Sequence, residues 1–240
     1  MKAIQWSFRR VEKKYLISVD QYQQLMDALK DYVVPDDYPE GTICNIYYDT
    51  PDHELIRQSL QKPLYKEKFR LRSYGVPSEG SPVFLEIKKK FKGIVYKRRV
   101  QTDTSAAMEY LHGGSDPVVN DRQIMNEIHW FCRRYPLVPG MFVAYDRQSF
   151  KAVENPELRI TFDRNIRYRN VDMDLTHGDY GIRLLPEDTI VMEIKIPGAV
   201  PVWLSNILSS LQIFPTSFSK YGKAYLKTLG TKSNSIGMGG

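Results

Sequence analysis

Apolar and polar positions alternate along several stretches of this chain. In Tyr65-Lys66-Glu67-Lys68-Phe69-Arg70-Leu71-Arg72, Lys66, Lys68, Arg70 and Arg72 share one parity, and Phe69 and Leu71 share the other. In Val83-Phe84-Leu85-Glu86-Ile87-Lys88-Lys89-Lys90, Glu86, Lys88 and Lys90 oppose Val83, Leu85 and Ile87. The alternation returns at 158–163 and 190–196, and near the start of the chain Arg10, Glu12 and Lys14 share a face. Side chains alternate faces along a strand, so each stretch predicts a strand with one apolar and one charged face.

Strands are predicted at 8–17, 43–49, 65–74, 83–90, 94–101, 142–150, 157–168 and 189–196. Helices are predicted at 19–31, 104–112, 120–134, 201–212 and 217–229. The first has Ser18 and Gln21 in capping-box spacing, with Tyr22, Leu25, Met26 and Leu29 on one face. A further short helix is predicted to start at Thr50-Pro51, an N-cap followed by proline. Residues 77–82 read as a hairpin loop, and Lys92-Gly93 as a tight turn. Strands joined by short loops pair antiparallel. The fold class expected is α+β: an eight-stranded antiparallel β-barrel or tunnel with peripheral helices. Charged faces would meet inside, helices would cover the apolar faces, and closure would protect the edges. No repeat or linker divides the chain, so one domain is expected over 1–229, followed by a disordered tail at 230–240.

Composition narrows the function classes. With 42% hydrophobic residues in 240, the chain can bury a core. No apolar run reaches the roughly 18 residues of a membrane helix. The first ten residues lack the apolar core of a signal peptide. Cys44 and Cys132 lack metal-ligand spacing and read as small buried residues of a reducing cytoplasm. The four histidines are scattered. A net charge of +6 favours anionic partners without choosing among nucleic acid, nucleotide and membrane surface.

The candidate inward set is Arg10, Glu12, Lys14, Arg70, Arg72, Glu86, Lys88, Lys90, Lys97, Arg99, Arg147, Arg159, Asp163, Glu193 and Lys195. Parity alone leaves two readings open. These faces are either solvated surface, with 88–90 and 97–99 forming a nucleic-acid patch, or the lining of one cavity. Cations crowded in a cavity cost several kcal/mol per uncompensated charge. A triphosphate or polyphosphate would offset that cost, and arginine's planar fork suits phosphate oxygens. Carboxylates in such a site need a cation between them and the phosphate. Glu12, Glu86 and Glu193 are therefore candidate ligands for Mn2+ or Mg2+. No Gly-x-x-x-x-Gly-Lys-Ser/Thr loop is present, so side chains must bind the phosphate. Asp49 reads as a helix cap, and Tyr15, Trp130 and Trp203 as core. Tyr47 shares parity with Asn45 and Asp49.

Several segments carry a family resemblance. They include 10–15, 46–50, Lys68-Phe69-Arg70-Leu71-Arg72, Phe84-Leu85-Glu86-Ile87-Lys88, Tyr96-Lys97-Arg98-Arg99, Tyr145-Asp146-Arg147, 159–163, Glu193-Ile194-Lys195 and Phe218-Ser219-Lys220-Tyr221. In this order the chain, from about Phe8 to Leu229, resembles the VTC-type polyphosphate polymerase domain, a branch of the triphosphate tunnel metalloenzymes. The resemblance implies an eight-stranded antiparallel tunnel and transfer of the ATP γ-phosphoryl group onto polyphosphate. It implies that Arg70, Arg72, Lys88, Lys97, Arg147, Arg159 and Lys220 cradle phosphates, with Ser219 beside them, and that Glu193 holds Mn2+ or Mg2+. ATP and polyphosphate are the expected partners and nucleic acid is not. A soluble cytoplasmic enzyme is expected, with any membrane association left to a partner protein. One departure stands out: the tunnel triphosphatases carry Glu-x-Glu-x-Lys in the first strand, and here Arg10 replaces the first glutamate. That replacement favours holding a phosphate chain over activating water. A triphosphatase and a non-catalytic polyphosphate- or RNA-binding module are the alternative functions.

Overall fold

The computed structural model describes residues 10–92 and 94–236, with only the backbone described for Arg10 and for 231–236. Its strands are β1 (Arg10–Ser18), β2 (Val33–Asp49), β3 (Tyr65–Tyr74), β4 (Pro82–Phe91), β5 (Ile94–Asp103), β6 (Val138–Ala152), β7 (Arg159–Arg169), β8 (Ile182–Arg183) and β9 (Thr189–Pro197). The helices are α1 (Val19–Leu29), α2 (Glu54–Leu60), α3 (Thr104–Leu111), α4 (Arg122–Arg134), α5 (Val202–Ser210) and α6 (Lys220–Ile236). The strands hydrogen-bond in the order β1-β9-β7-β6-β2-β3-β4-β5, with β8 on β7. That order ends at β1 and β5: the sheet is the antiparallel, α+β arrangement expected from the sequence, and it is not strictly closed.

Contacts divide the chain into two units. The first comprises Met1–Gly41, Asp146–Asn165 and Leu185–Phe218. Here β9 pairs antiparallel with β1 and β7. The apolar parity of these strands (Tyr15, Ile17, Ile160, Phe162, Ile190, Met192, Ile194) packs with Leu25 and Leu29 of α1 and Leu204 and Leu208 of α5. The capping box at Ser18 and Gln21 forms as expected.

The second unit comprises Thr42–Tyr145, Ile166–Leu184 and Ser219–Gly240. Here β3 pairs with β2 and β4, and β4 pairs with β5. Phe69, Leu71, Val83, Leu85 and Ile87 are fully buried against Ala107 and Tyr110 of α3 and Met125, Ile128 and Phe131 of α4. In both units the helices cover the apolar parity and leave the charged parity on the opposite face. Burying each large apolar side chain contributes about 1.5–3 kcal/mol, which fixes the register, because a one-residue slip would put these charges in the core.

Four details differ from the sequence reading. Strand β2 begins ten residues early, at Val33, although Pro35, Asp36-Asp37 and Pro39 suggest a loop. Polar pairs with β6 hold this extension: Ser149 donates to Asp36, Lys151 to Asp37 and Gln148 to Glu40. Helix α2 starts at Glu54 rather than at Thr50-Pro51. Asp49 does cap it, from outside, accepting from the Leu55 and Ile56 amides, and the Thr50 hydroxyl accepts from Glu54 N. Helix α6 runs on to Ile236, past the expected end at 229. Trp130, expected in the core, is 55% exposed on α4, where Arg134 covers its ring at 5.3 Å. Tyr15 is buried, and Trp203 is partly buried and stacked on Tyr32. In the turn after β4, Lys92 takes a left-handed φ of 46°, while Gly93 and residues 237–240 lie outside the described residues. Burial pushes both cysteine thiols up to about 11, so neither is a reactive thiolate.

Candidate functional site

In the second unit, antiparallel pairing assembles the charged parity into one patch. Register places Arg70 opposite Tyr47 and Glu86, Arg72 opposite Asn45, Lys68 opposite Lys88, Lys88 opposite Lys97, and Glu86 opposite Arg99. Glu86 is the hub. Its Oε2 accepts from Arg70 Nε at 2.8 Å and Nη2 at 2.6 Å, and Arg72 Nε lies 4.0 Å away. Its Oε1 faces Lys97 Nζ at 2.8 Å and Arg99 Nη1 at 3.9 Å. Arg72 donates to Asn45 Oδ1 at 2.8 Å and to the Tyr145 hydroxyl at 3.1 Å, and Arg99 sits 4.8 Å over the Phe84 ring. The start of α6 and the residue before it border one side: Lys68 Nζ donates to Ser219 Oγ at 3.0 Å, and Lys220 Nζ lies 4.3 Å over the Tyr145 ring.

This face is basic and partly desolvated, which shifts its titrations. The Glu86 side chain is 1% exposed. Burial opposes its ionisation, yet Arg70, Arg72 and Lys97 hold it far below the usual carboxylate range. For Arg70, burial is outweighed by Glu86 and the Tyr47 and Tyr145 phenols, and its pKa rises. Tyr47 moves the other way: burial would raise its phenol, but Arg70 and then Arg72 lower it. Partial desolvation lowers the Lys97 ammonium to about 8 against the pull of Glu86, and Arg72 and Arg70 add to the fall. Only the protonated amine attracts an anion. An anion such as tripolyphosphate, if held by Lys97, would therefore bind more weakly as pH rises through about 8, with proton uptake on binding near that pH. Calorimetry in buffers of different ionisation enthalpy checks this, and a pH-independent affinity between 7 and 9 would remove Lys97 from the binding set.

In the first unit the charged face mixes both signs. Register sets Glu12 against Lys195, Lys14 against Glu193, Thr161 against Glu193 and Arg159 against Lys195. Glu12 and Glu193 are thus diagonal neighbours on adjacent strands. Lys14 Nζ lies 3.6 Å from Glu12 and donates to the Phe218 carbonyl at 3.1 Å. Lys195 Nζ lies 3.7 Å from Glu193. Arg147 forks onto the fully buried Asp163 at 2.7 and 2.9 Å, with its Nη2 4.0 Å from Glu193.

The expected site residues therefore fall into two sets. Arg70, Arg72, Glu86, Lys88, Lys97, Arg99, Ser219 and Lys220 gather in the second unit, and Glu12, Lys14, Arg147, Glu193 and Lys195 in the first. Lys90 is exposed near the far end of β4. Arg159 lies opposite Lys195 on the charged face, but its side chain is 52% exposed and 3.4 Å from Asp36. Arg10 opens β1, and its side chain lies outside the described residues. Among the described residues, no three or more His, Cys, Asp or Glu side chains come close enough to hold a metal together. Glu86, a candidate metal ligand with Glu12 and Glu193, sits among four cations of the second unit. Sequence reasoning left Lys68 and Asn45 out of the site. Lys68 has the right parity, so that signal was available. Asn45 is a neutral residue, and a charge pattern cannot flag it.

The chain is similar to solved structures at low sequence identity. A Bacillus halodurans protein provisionally described as an adenylate cyclase superposes with a TM-score of 0.52 at 14% identity, covering 88% of this chain and 95% of its own. A Vibrio parahaemolyticus protein with the same provisional description gives a TM-score of 0.46 at 12% identity, covering 92% and 99%. The first establishes a common α+β antiparallel fold and nothing about substrate. No curated protein sequence matches the chain. Among the described residues, no helix is long and apolar enough to cross a membrane. The VTC domain family matches residues 9–229, nearly the whole chain, and the protein belongs to that family.

Proposed function

We propose that this protein is a metal-dependent polyphosphate polymerase that transfers the γ-phosphoryl group of ATP to the end of a polyphosphate chain. The observation that carries the reading is the pair of guanidinium groups on β3. Arg70 and Arg72 share one face, and each is clamped by neighbours, Arg70 by Glu86 and Tyr47, Arg72 by Asn45 and Tyr145. Forks held in place bind phosphate oxygens without losing further side-chain freedom. Lys88, Lys97, Arg99 and Lys220 add positive charge to a face whose one central carboxylate they and the arginines outweigh.

In the transfer, a terminal oxygen of the acceptor chain forms a bond to Pγ while the bond between Pγ and the β–γ bridging oxygen breaks, and ADP leaves. The acceptor oxygen is already ionised, so no strong general base is needed. The basic face aligns donor and acceptor and stabilises the charge carried outward onto the leaving oxygen. Glu12 and Glu193 suit Mg2+ or Mn2+, because such ions are held by one or two carboxylates together with phosphate oxygens and water. When bound, the ion would neutralise phosphoryl charge. The cations around Glu86 leave it the role of counter-ion. The test is incubation of the purified protein with ATP and manganese: polyphosphate of increasing length and one ADP per phosphate added are expected. Orthophosphate as the sole product would make the protein a triphosphatase.

A further inference from the structure

We infer that Asn45, Tyr47 and Asp49 on β2 are positioning residues that set the geometry of the phosphate face, an inference that rests on the phosphate-binding part of the reading above. The three share one parity of the strand, and all are buried, at 0%, 8% and 0% exposure. None offers a surface to a substrate. Each instead grips a different part of the site.

Asn45 bridges two strands. Its Nδ2 donates to the Val143 carbonyl on β6 at 2.9 Å, and its Oδ1 accepts from Arg72 Nε at 2.8 Å. The amide is thereby oriented, and so is the fork it holds. Tyr47 accepts from Arg70 Nη1 at 3.2 Å, so Arg70 is fixed at Nη1 by the phenol and at Nε and Nη2 by Glu86. A guanidinium held at both ends cannot rotate about its Nε–Cζ bond.

Asp49 acts on helix α6. Its Oδ1 accepts from the Thr50 and Leu55 amides and its Oδ2 from the Ile56 amide, which anchors it at the start of α2. Oδ2 also accepts from the Tyr221 hydroxyl at 2.7 Å. The Tyr221 ring stacks on Tyr47 at 4.8 Å and 15°. A Cβ at Gly140 would stand 3.0 Å from the Tyr221 hydroxyl, so β6 leaves that hydroxyl its room by having none. Tyr221 follows Ser219 and Lys220 in sequence. Fixing Tyr221 therefore fixes where the first turn of α6 presents that hydroxyl and that ammonium. Every second residue of one strand thus sets one phosphate-binding element: Arg72, Arg70, then the Ser219-Lys220 turn.

The variants are Tyr47→Phe and Tyr221→Phe, each removing one hydroxyl and little volume. In the wild type, the Arg70 Nη protons are expected to give resolved resonances in 15N-edited spectra; in Tyr47→Phe the Nη1 resonances are expected to shift and broaden, while Glu86 still holds Nε and Nη2. Tripolyphosphate affinity, read by calorimetry, is expected to fall about tenfold in Tyr47→Phe, the scale of one charge-assisted hydrogen bond. That loss should vanish in an Arg70→Lys background, because the phenol acts through Arg70's fork. Tyr221→Phe should weaken binding similarly, and add nothing in a Ser219→Ala, Lys220→Ala background, where both groups it places are gone. Unchanged Arg70 resonances, or losses that persist in the Arg70→Lys background and in the Ser219→Ala, Lys220→Ala background, would overturn the inference and leave these residues a purely structural role. A wild-type protein that binds tripolyphosphate but makes no polymer from ATP would overturn the polymerase reading alone.

Discussion

Replacing Glu86 by Gln is expected to lower the stability of the free protein by about 3 kcal/mol while strengthening its grip on tripolyphosphate. Both effects have one cause. Glu86 is the buried counter-ion of Arg70, Arg72, Lys97 and Arg99, and removing one partner of a buried ion pair typically costs about 3–5 kcal/mol. At about 2–4 °C per kcal/mol for a chain of this size, the melting temperature should drop by roughly 10 °C. Glutamine keeps the shape but not the charge, so the cations lose their internal partner and a bound polyanion replaces it. Thermal melts with and without tripolyphosphate check both halves, and the stabilisation by ligand should be larger in the variant. Weaker tripolyphosphate binding in Glu86→Gln would instead make the carboxylate part of a metal or substrate site. The wild type should also lose stability as pH falls below the ordinary glutamate value of 4.5. Glu86's folded pKa is depressed, so its contribution is complete above the unfolded value and is lost as the pH falls towards the folded one. The Gln variant should lack that component.

The second large effect is expected from Arg70→Lys combined with Arg72→Lys. Charge is conserved, but the planar forks are lost, and with them the clamps by Tyr47, Asn45 and Tyr145. At about 1.5–3 kcal/mol for each charge-assisted hydrogen bond, loss of one good phosphate contact per residue predicts a fall in tripolyphosphate affinity of about a hundredfold or more. ATP-dependent polymer synthesis should fall at least as far, since alignment matters more in the transition state than in the bound state. The lysines remain as counter-ions for Glu86, so the fold should survive, as circular dichroism would show. Near-wild-type binding would mean that charge alone holds the anion and that the forks contribute no geometry.

Much of the fold was legible because burial enforces period two. Phe69 and Leu71 had to face α4, so Arg70 and Arg72 had to face away from it. A single strand gives that result without its neighbours. The upstream half of β2 was not legible, because what holds it is a set of cross-strand polar pairs at Asp36, Asp37 and Glu40, and prolines and aspartates in a row suggest a loop. Trp130 was misjudged because apolar character does not fix burial; Arg134 covers its ring at the surface. Lys220 came only through family resemblance, since it lies on a helix and no strand parity applies to it.

The sequence by itself determined which residues share a face and the sign of the charge that face carries. Alternation is a local property of the backbone, and the hydrophobic effect selects which parity is buried. The tertiary structure alone decided who partners whom. Register put Glu86 opposite both Arg70 and Arg99, which makes it the buried counter-ion of a basic face. It also set Glu12 and Glu193 diagonally on adjacent strands. Such pairings join residues as distant in sequence as Glu12 and Lys195. They depend on how strands align over their full length, and no local pattern of polar and apolar residues contains that information.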